Sequence, residues 1–388
     1  MQENESDYVI RTGLQPCDFS PSEWNALLAV QDQPTPFMRH AYLLALHESG
    51  SAGRETGWQP AFMGVWRDAV LVAACPLYLK DHSYGEYVFD WAWADAYQRH
   101  GLRYYPKALI AVPFTPVPGS RLLARDADSR LRLLQAVIDM CDAQQLSSLH
   151  LLFASDADLQ ATHALGLMQR QTVQFHWNRQ GQRDFDDYLS GLTQEKRKKI
   201  RQERRRVHEA DVSFRHARGR DISTQDWAFF YQCYKRTYLE HGNRPYLHPT
   251  FFADMARDMP EHWLLFVAQR EGRDIACSLI GLHDEPGQPK VAYGRYWGAL
   301  ERVDCLHFEA CYYQPLSWCL THGFERFEGG AQGEHKMARA LLPVSTHSAH
   351  WLAHAGFAQA VEDFLQREGT GVSRYLEHLQ ERSPLRRT

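Results

Sequence analysis

Residues 293–336, YGRYWGALERVDCLHFEACYYQPLSWCLTHGFERFEGGAQGEHK, are the most informative stretch of the sequence for predicting the fold. Residues 291–297 alternate and are rich in Tyr, Trp and Val, a pattern that predicts a strand. Residues 306–322 carry apolar side chains at helical spacing, and Gly323 is placed to end that helix as a C′ glycine. A second strand at residues 324–327 completes a βαβ unit, for which a parallel pair of strands is the simplest arrangement.

The second strand leads into a glycine-rich turn that precedes another predicted helix. Ligands of open α/β sheets collect beyond the carboxyl ends of the strands, so polar groups at these strand ends should face one crevice. The residues expected there are Arg295, Trp297, Glu328, Gly330 and Gln332. Glycines let backbone N–H groups approach an anion or oxyanion closely. The competing interpretation is a tight turn that needs positive φ, and the acids, histidine and lysine beside it make the two interpretations equally favoured.

Length and composition bound the architecture and the partners. A chain of 388 residues is long for one core and predicts two domains, residues 1–180 and 181–388. A net charge of −4 gives the whole protein no electrostatic reason to coat nucleic acid or an anionic membrane. The first residues are acidic, and the longest apolar run, residues 69–75, is too short for a membrane span, so a cytoplasmic protein is expected. Eight cysteines without CxxC spacing predict reduced thiols rather than disulfides or a metal site.

The same succession of elements occurs in both halves, which indicates an internal duplication. Each half begins with two helices, continues with an antiparallel pair, and ends with a strand, a helix and a strand. The helices are predicted at residues 21–30, 40–47, 130–144, 226–240 and 249–258, and the antiparallel pairs at 58–66 with 69–79 and at 263–269 with 275–282. A strongly basic helix is predicted at 193–207, and a C-terminal helical segment at 358–380 is expected to break near Gly369 and Gly371.

This order of elements resembles the GNAT N-acyltransferase fold, and its duplication resembles the Fem-type aminoacyl transferases that extend peptidoglycan side chains. Several segments resemble the signatures of a bacterial Fem-like group associated with peptidoglycan biosynthesis or recognition. They are GEYVFDWAWADAYQRHGLRYYPK (85–107), AVPFTPVPGSRLL (111–123), YGRYWG (293–298), LHFEACYYQ (306–314) and FEGGAQGEHK (327–336). The resemblance covers nearly the whole chain and implies an α/β fold of two tandem GNAT-like units with mixed sheets in the Fem-type arrangement.

One departure from the GNAT pattern bears on the acyl donor. GNAT enzymes hold the acyl-CoA pyrophosphate with an Arg/Gln-x-x-Gly-x-Gly/Ala turn, whereas this chain has Arg295-Tyr-Trp-Gly298-Ala-Leu300 and then an acidic insertion at residues 301–304. The arginine and first glycine match, but the last position does not. Fem-type enzymes take their acyl group from aminoacyl-tRNA, so acyl-CoA and aminoacyl-tRNA are both candidate donors and the second is favoured.

Acyl transfer to an amine needs a base, donors for the oxyanion and an acid near the leaving group. The residues predicted to be catalytic are Glu328, Glu334, His335 and Lys336. His307 and Glu309 form a possible second imidazole–carboxylate pair, whose alternative is a simple helix cap, and Tyr313 of the same helix joins the predicted binding residues.

The segment at residues 87–97 alternates aromatic rings with acids. Rings at every second position of a strand favour core packing, and the alternative is a sugar or peptide docked on exposed rings. Asp90, Trp93 and Lys107 are the binding residues predicted from this segment and its continuation. The basic run at 196–206 predicts a solvated helix or, for a tRNA or nucleotide-linked partner, a phosphate contact.

The sequence therefore predicts N-acyl or aminoacyl transfer to a small-molecule or peptide amine, with a peptidoglycan precursor as one candidate acceptor. The alternative is a binding module that recognises peptidoglycan precursors without catalysis.

Overall fold

The computed structural model describes residues 8–331 and 333–386 and divides into two compact units. Unit 1 takes in the chain up to Thr172 together with Ser345–Arg374, and unit 2 takes in Val173–Val344 together with the chain from Tyr375. Both units are therefore discontinuous in sequence, unlike the contiguous domains 1–180 and 181–388. That division stays a prediction about the two repeats.

Unit 1 contains two packed helices, an antiparallel sheet and a parallel strand pair joined by a long helix. Its strands are β1 (Tyr8–Leu14), β2 (Trp58–Pro60), β3 (Phe62–Arg67), β4 (Val70–Cys75), β5 (Leu77–Lys80), β6 (Lys107–Ile110), β7 (Leu123–Ala124) and β8 (Ser148–Leu152). Its helices are α1 (Pro21–Ala29), α2 (His40–Glu48), α3 (Trp91–Arg99), α4 (Ala127–Ala143) and α5 (Asp156–Ala164). One sheet has the order β1-β3-β4-β7, and β8-β6-β5-β2 follow one another in the other.

The parallel pair of unit 1 is β6 with β8, linked by the crossover helix α4. Asp126 starts that helix by accepting a hydrogen bond from the Ser129 backbone N–H, a standard N-cap. The apolar face of α4, including Leu133 and Val137, is buried against β3, β4 and β8.

Unit 2 repeats this succession. The chain enters it within β9 (Met168–Asn178) and forms α6 (Phe185–Ser190), α7 (Gln194–Glu209), β10 (Val212–Arg218), α8 (Thr224–Glu240), α9 (Pro249–Asp258), β11 (Trp263–Arg270), β12 (Arg273–His283), β13 (Val291–Ala299), α10 (Leu306–Phe308), α11 (Gln314–Thr321) and β14 (Arg326–Ala331). It leaves unit 2 within β15 (Leu342–Leu352), and α12 (Ala355–Glu381) ends the fold. The strand order is β10-β11-β12-β13-β14-β9, with β13 and β14 parallel.

Five predicted helices are confirmed. They are α1 and α2 before the aromatic segment, α4 in the crossover of unit 1, and α8 and α9 in unit 2. The two antiparallel pairs are confirmed as β3 with β4 and β11 with β12, and the predicted parallel βαβ unit is confirmed. Gly323 has φ +76° after α11, as its predicted C′ role requires.

Two predicted elements are wrong. The aromatic segment, residues 87–97, is not a strand: its first part is a loop, and from Trp91 it forms the helix α3. Trp93 and Tyr97 lie one helical turn apart and are both buried in the core. The C-terminal segment does not break at Gly369 and Gly371 but continues as α12. Packing of its apolar face outweighs the cost of about 1 kcal/mol for each helical glycine.

Candidate functional site, a cleft between two diverging strands

The candidate site opens where β13 and β14 diverge. Among the described residues, these parallel strands pair at three positions, from Val291 with Arg326 to Tyr293 with Glu328. Both strands continue past the last pair, β13 to Ala299 and β14 to Ala331. The space between the diverging segments lies at the carboxyl ends of parallel strands, where ligands of α/β sheets bind.

Irregularities on both strands accompany the opening. On β13, Tyr296 pairs with Leu279 and Gly294 with Ile280, which leaves Arg295 as an extra residue. On β14, a register shift follows Glu328 on the side of β9, and Gly330 has φ +73°. Bulges of this kind increase the local twist and redirect side chains.

The resulting cleft has a volume of about 150 Å³. Its lining includes Arg295, Trp297, His307, Tyr312, Gly329 and Lys336. Gly329 is required by space: a Cβ there would lie 2.4 Å from Leu341 Cδ2 and 3.0 Å from the Phe175 carbonyl oxygen. The predicted gathering of Arg295 and Trp297 with the glycine-rich segment is therefore present in the structure.

Lys336 is, with Arg295, one of the cations that line the cleft. It lies in a 3₁₀ helix, Glu334–Arg339, where the sequence predicts a helix start. Its Nζ donates to the carbonyl oxygens of Ala331 at 2.8 Å and Gly330 at 3.3 Å. Burial lowers the pKa of Lys336 from 10.5 to about 8, so the ammonium form still dominates at neutral pH.

Two imidazoles and a phenol lie beside this ammonium group. The His307 ring centroid is 5.4 Å from that of Trp297 and 5.7 Å from that of Tyr312. Tyr312 Oη lies 3.3 Å from His335 Nε2. Burial lowers the pKa of His307 to about 4 and also lowers the pKa of His335, so both rings are neutral at pH 7 and able to accept a proton.

The helix that carries His307 and Tyr312 contains a π-helical turn, Glu309–Tyr313, between α10 and α11. Pro315 follows in the next turn and has no N–H to donate. The Ser278 hydroxyl donates to the Ala310 carbonyl oxygen at 2.6 Å. Such turns are frequent at functional sites, and the proline inside a predicted helix is the sequence signal that could have revealed this one.

Glu309 and Tyr313 do not join the cleft. Glu309 faces a second groove, where it accepts from Arg204 Nε at 3.2 Å and from Gln314 Nε2 at 2.8 Å. The Tyr313 hydroxyl donates to Glu203, which also pairs with Arg339. The predicted His307–Glu309 pair is therefore wrong, because the π turn directs the two side chains into different cavities.

The four predicted catalytic residues are separated by the structure. Glu328 alternates with Phe327 and Gly329 along β14, so it faces away from the cleft that those neighbours line. It is buried, with Oε1 2.9 Å from Arg326 Nε and Oε2 3.9 Å from His176 Nε2, and burial raises its pKa from 4.5 to about 7. The expectation that Glu328 shares the crevice with Arg295 is wrong.

Glu334 lies on the surface, within 3.1 Å of Tyr375 Oη and 3.3 Å of Arg382 Nη1. His335 lies at the edge of the cleft through Tyr312, and Lys336 lies inside it. Gln332 lies outside the described residues. Catalytic roles for these residues stay predictions.

Asp90, Trp93 and Lys107 belong to unit 1. Lys107 is fully buried and its Nζ donates to Asp90 and, at 2.8 Å, to Glu86. The Trp93 ring packs on His350, with centroids 5.0 Å apart. The structure therefore gives these residues internal partners, and a direct contact of theirs with substrate stays a prediction.

All eight cysteines are free thiols. Within residues 8–331 and 333–386, no group of three or more His, Cys, Asp or Glu side chains is arranged to hold a metal ion. Over the same ranges, no helix combines the length and the apolar character needed to cross a bilayer.

Comparison with known proteins places this geometry in context. Residues 17–387 match the FemAB-like family model, described as peptidoglycan biosynthesis/recognition. No curated protein sequence matches the chain. The solved structure of FemX is similar over 89% of this chain and 98% of its own, with 11% identity and a TM-score of 0.55. L-PGS from Bacillus licheniformis is similar over 93% and 98%, with 10% identity and a TM-score of 0.55. The predicted fold, two GNAT-like units in the Fem-type arrangement, is confirmed.

Proposed function

Because this chain belongs to the FemAB-like family, we propose that it transfers an acyl or aminoacyl group to an amine in the cleft between β13 and β14. The observation that carries the proposal is the divergence of these strands after three paired positions, with a buried lysine and neutral imidazoles in the gap. An acyl carbonyl bound there would lie beside the Lys336 ammonium. A fixed positive charge at that position is suited to addition at a carbonyl carbon.

The donor carbonyl oxygen becomes negative when the amine adds. The Lys336 ammonium supplies positive charge in the cleft. It is fixed before the reaction, since two carbonyl oxygens hold it. We propose that it stabilises the oxyanion.

Proton transfers complete the reaction. The amine nitrogen forms a bond to the carbonyl carbon and carries an extra proton, which neutral His307 accepts. The bond from carbon to the leaving oxygen or sulfur then breaks, and the leaving group takes a proton from the Tyr312 hydroxyl. Burial raises the pKa of Tyr312, which keeps it protonated before the transfer. The proton that His307 took from the amine then passes to the Tyr312 oxygen, since the two rings are neighbours with centroids 5.7 Å apart, so both residues return to their starting forms.

The region after β13 favours a donor other than acyl-CoA. The predicted pyrophosphate turn is part of the strand, and the Leu300 N–H is taken by the Ile275 carbonyl oxygen at 2.7 Å. Glu301 follows, held by Arg270 and Arg273, and a carboxylate there disfavours a phosphate. The exposed cations of α7, among them Lys198 and Arg201, suit a polyanionic donor such as aminoacyl-tRNA.

The acceptor is proposed to be an amine of a peptidoglycan precursor, on the strength of the family description. A neutral His307 serves any primary amine, so the cleft chemistry does not by itself select among peptide and small-molecule acceptors.

The test is a transfer assay in which the purified protein receives either acetyl-CoA or a mixture of aminoacyl-tRNAs, together with a panel of amines that includes a peptidoglycan stem peptide. Products are identified by mass spectrometry. Lys336→Met is expected to lower the transfer rate about 100- to 1,000-fold, because one preorganised donor to an oxyanion contributes on that order. Lys235→Met, at an exposed position of α8, is the matched control and should leave the rate unchanged.

Three outcomes discriminate among the alternatives. Transfer from aminoacyl-tRNA that weakens steeply with salt supports the favoured donor. Transfer from acetyl-CoA at micromolar concentration returns the chain to ordinary acyl-CoA enzymes. Tight binding of the stem peptide without turnover from any donor overturns the proposal in favour of a binding module.

A further inference from the structure

A short segment of unit 1 alternates between buried and exposed side chains in an unusual way. Glu86, Val88 and Asp90 are buried. The side chains between and beside them are aromatic and exposed, namely Tyr84 (59%), Tyr87 (37%), Phe89 (54%) and Trp91 (40%). We call residues 84–91 the aromatic loop. Four large rings held in water within one segment form a surface that folding alone does not explain.

Two buried lysines fix this loop. Lys107 is fully buried and its Nζ donates to Ser83 Oγ at 2.8 Å, to Glu86 at 2.8 Å and to Asp90. Lys80, also fully buried, donates to the Tyr84 carbonyl oxygen at 3.3 Å. Both cations are therefore directed at the backbone and acids of one loop.

Further contacts hold the loop in a single conformation. Arg170 Nη1 donates to the Phe89 carbonyl oxygen at 2.8 Å. Gly85 has φ +81°, and a Cβ there would lie 2.6 Å from Phe114. Burying lysines is costly even when they are paired, and here that cost secures the inward side chains of a loop whose outward rings stay 37–59% exposed. Preorganisation of this kind is characteristic of a recognition surface.

We propose that the aromatic loop binds a neutral saccharide. The C–H faces of pyranose rings stack on aromatic rings, while sugar hydroxyls bond to the phenol and indole edges. Tyr84 and Trp91 already meet edge to face, with centroids 4.9 Å apart, so they present differently inclined faces to successive sugar units. The proposal concerns binding by unit 1 and does not depend on acyl transfer in unit 2.

Charge decides against the two polyanionic occupants that also use aromatic side chains. Residues 81–98 contain no Lys or Arg, and Asp81 beside the loop is exposed. Lys80 and Lys107 contact the loop from inside but are buried and bound to it, so they present no charge to the surface. An anionic lipid surface or a nucleic acid would need nearby cations. A neutral glycan has no such requirement.

The experiment is calorimetric titration of the full chain with chitotetraose, and separately with cellotetraose, without any acyl donor. Saturable binding of either sugar with a blue shift of tryptophan fluorescence is expected. Trp91→Ala and Tyr84→Ala should each weaken binding about tenfold, as expected for loss of one stacked ring. Phe364→Ala, an exposed ring on α12, should bind like the wild type.

All three variants change exposed side chains, so circular dichroism should show unaltered folding. Absence of saturable binding to both sugars overturns the proposal. Equal binding by Trp91→Ala and the wild type also overturns it, because the rings would then not be the site. Sedimentation of the wild type with phosphatidylglycerol vesicles, lost in Trp91→Ala, would assign the loop to a membrane surface instead.

Discussion

The parallel strand pair in unit 1 and the one in unit 2 occupy the same place in the repeated succession but are built differently. In unit 1, β6 and β8 pair from Ala108 with Leu149 to the end of β6 at Ile110, and every residue of both strands is buried. In unit 2, the pairing stops at Tyr293 with Glu328 while both strands continue. One pair is closed, and the other is held open.

The difference lies in the residues at the point of divergence. Unit 2 places Gly294 and the extra residue Arg295 on one strand and Gly329 on the other, which bends both backbones and leaves room between them. In unit 1, β6 ends at its last paired residue, Ile110, and so does not continue past the pairing as β13 does. A buried ionic group serves different ends in the two units: Lys107 holds a loop, whereas Lys336 lies in an accessible cleft.

The largest expected effect comes from removing a buried cation of unit 1, Lys107. Lys107→Met leaves Glu86 and Asp90 buried without their cation, so we expect the free energy of unfolding to fall by about 3–5 kcal/mol. Chemical denaturation of the wild type and variant measures it. A variant that is as stable as the wild type would show that the Lys107 ammonium group does not stabilise unit 1. Lys235→Met is again the surface control.

The pH dependence of transfer tests the role of Lys336 in the cleft between β13 and β14. Lys336 acts as an ammonium group, and its pKa of about 8 means that the rate constant should fall as pH rises through 8, approaching a tenfold loss for each further pH unit. His307 must be neutral, which its pKa of about 4 allows throughout that range. Initial rates at saturating acceptor measure the profile. Lys336→Arg should keep the positive charge, so its transfer rate should no longer fall above pH 8. A rate that falls above pH 8 in this variant as it does in the wild type would contradict the role of Lys336.

Much of the fold and part of the candidate site could be predicted from the sequence, because they depend on local patterns of residues. The βαβ unit, the C′ glycine and the succession of helices follow from periodicity and turn residues between positions 291 and 327. The gathering of Arg295 and Trp297 with the glycine-rich segment followed from the rule for strand ends. What failed depended on side-chain direction. Glu328 faces away from the cleft because it alternates with Phe327 and Gly329 along β14. Glu309 is directed into another groove by the π turn, whose one sequence signal is Pro315.

Glu328→Gln gives the smallest expected effect and tests that direction. The sequence alone places Glu328 among the catalytic residues, whereas its position on the far face of β14 predicts a transfer rate within about threefold of the wild type.

The influence of Glu328 should instead appear in the free energy of unfolding. The folded state raises the carboxyl pKa from 4.5 to about 7, so the folded protein binds the proton more tightly than the unfolded chain. The free energy of unfolding contributed by this group is thus fully present below pH 4.5 and is lost as pH rises through 7. Glutamine does not titrate, so the variant should gain on the wild type by about 2–3 kcal/mol between these pH values. Denaturation curves at pH 4.5 and pH 7 measure the gain, with transfer assayed in parallel. A hundredfold loss of transfer with no change in the pH dependence of stability would restore Glu328 to the reaction and require the cleft to extend around β14.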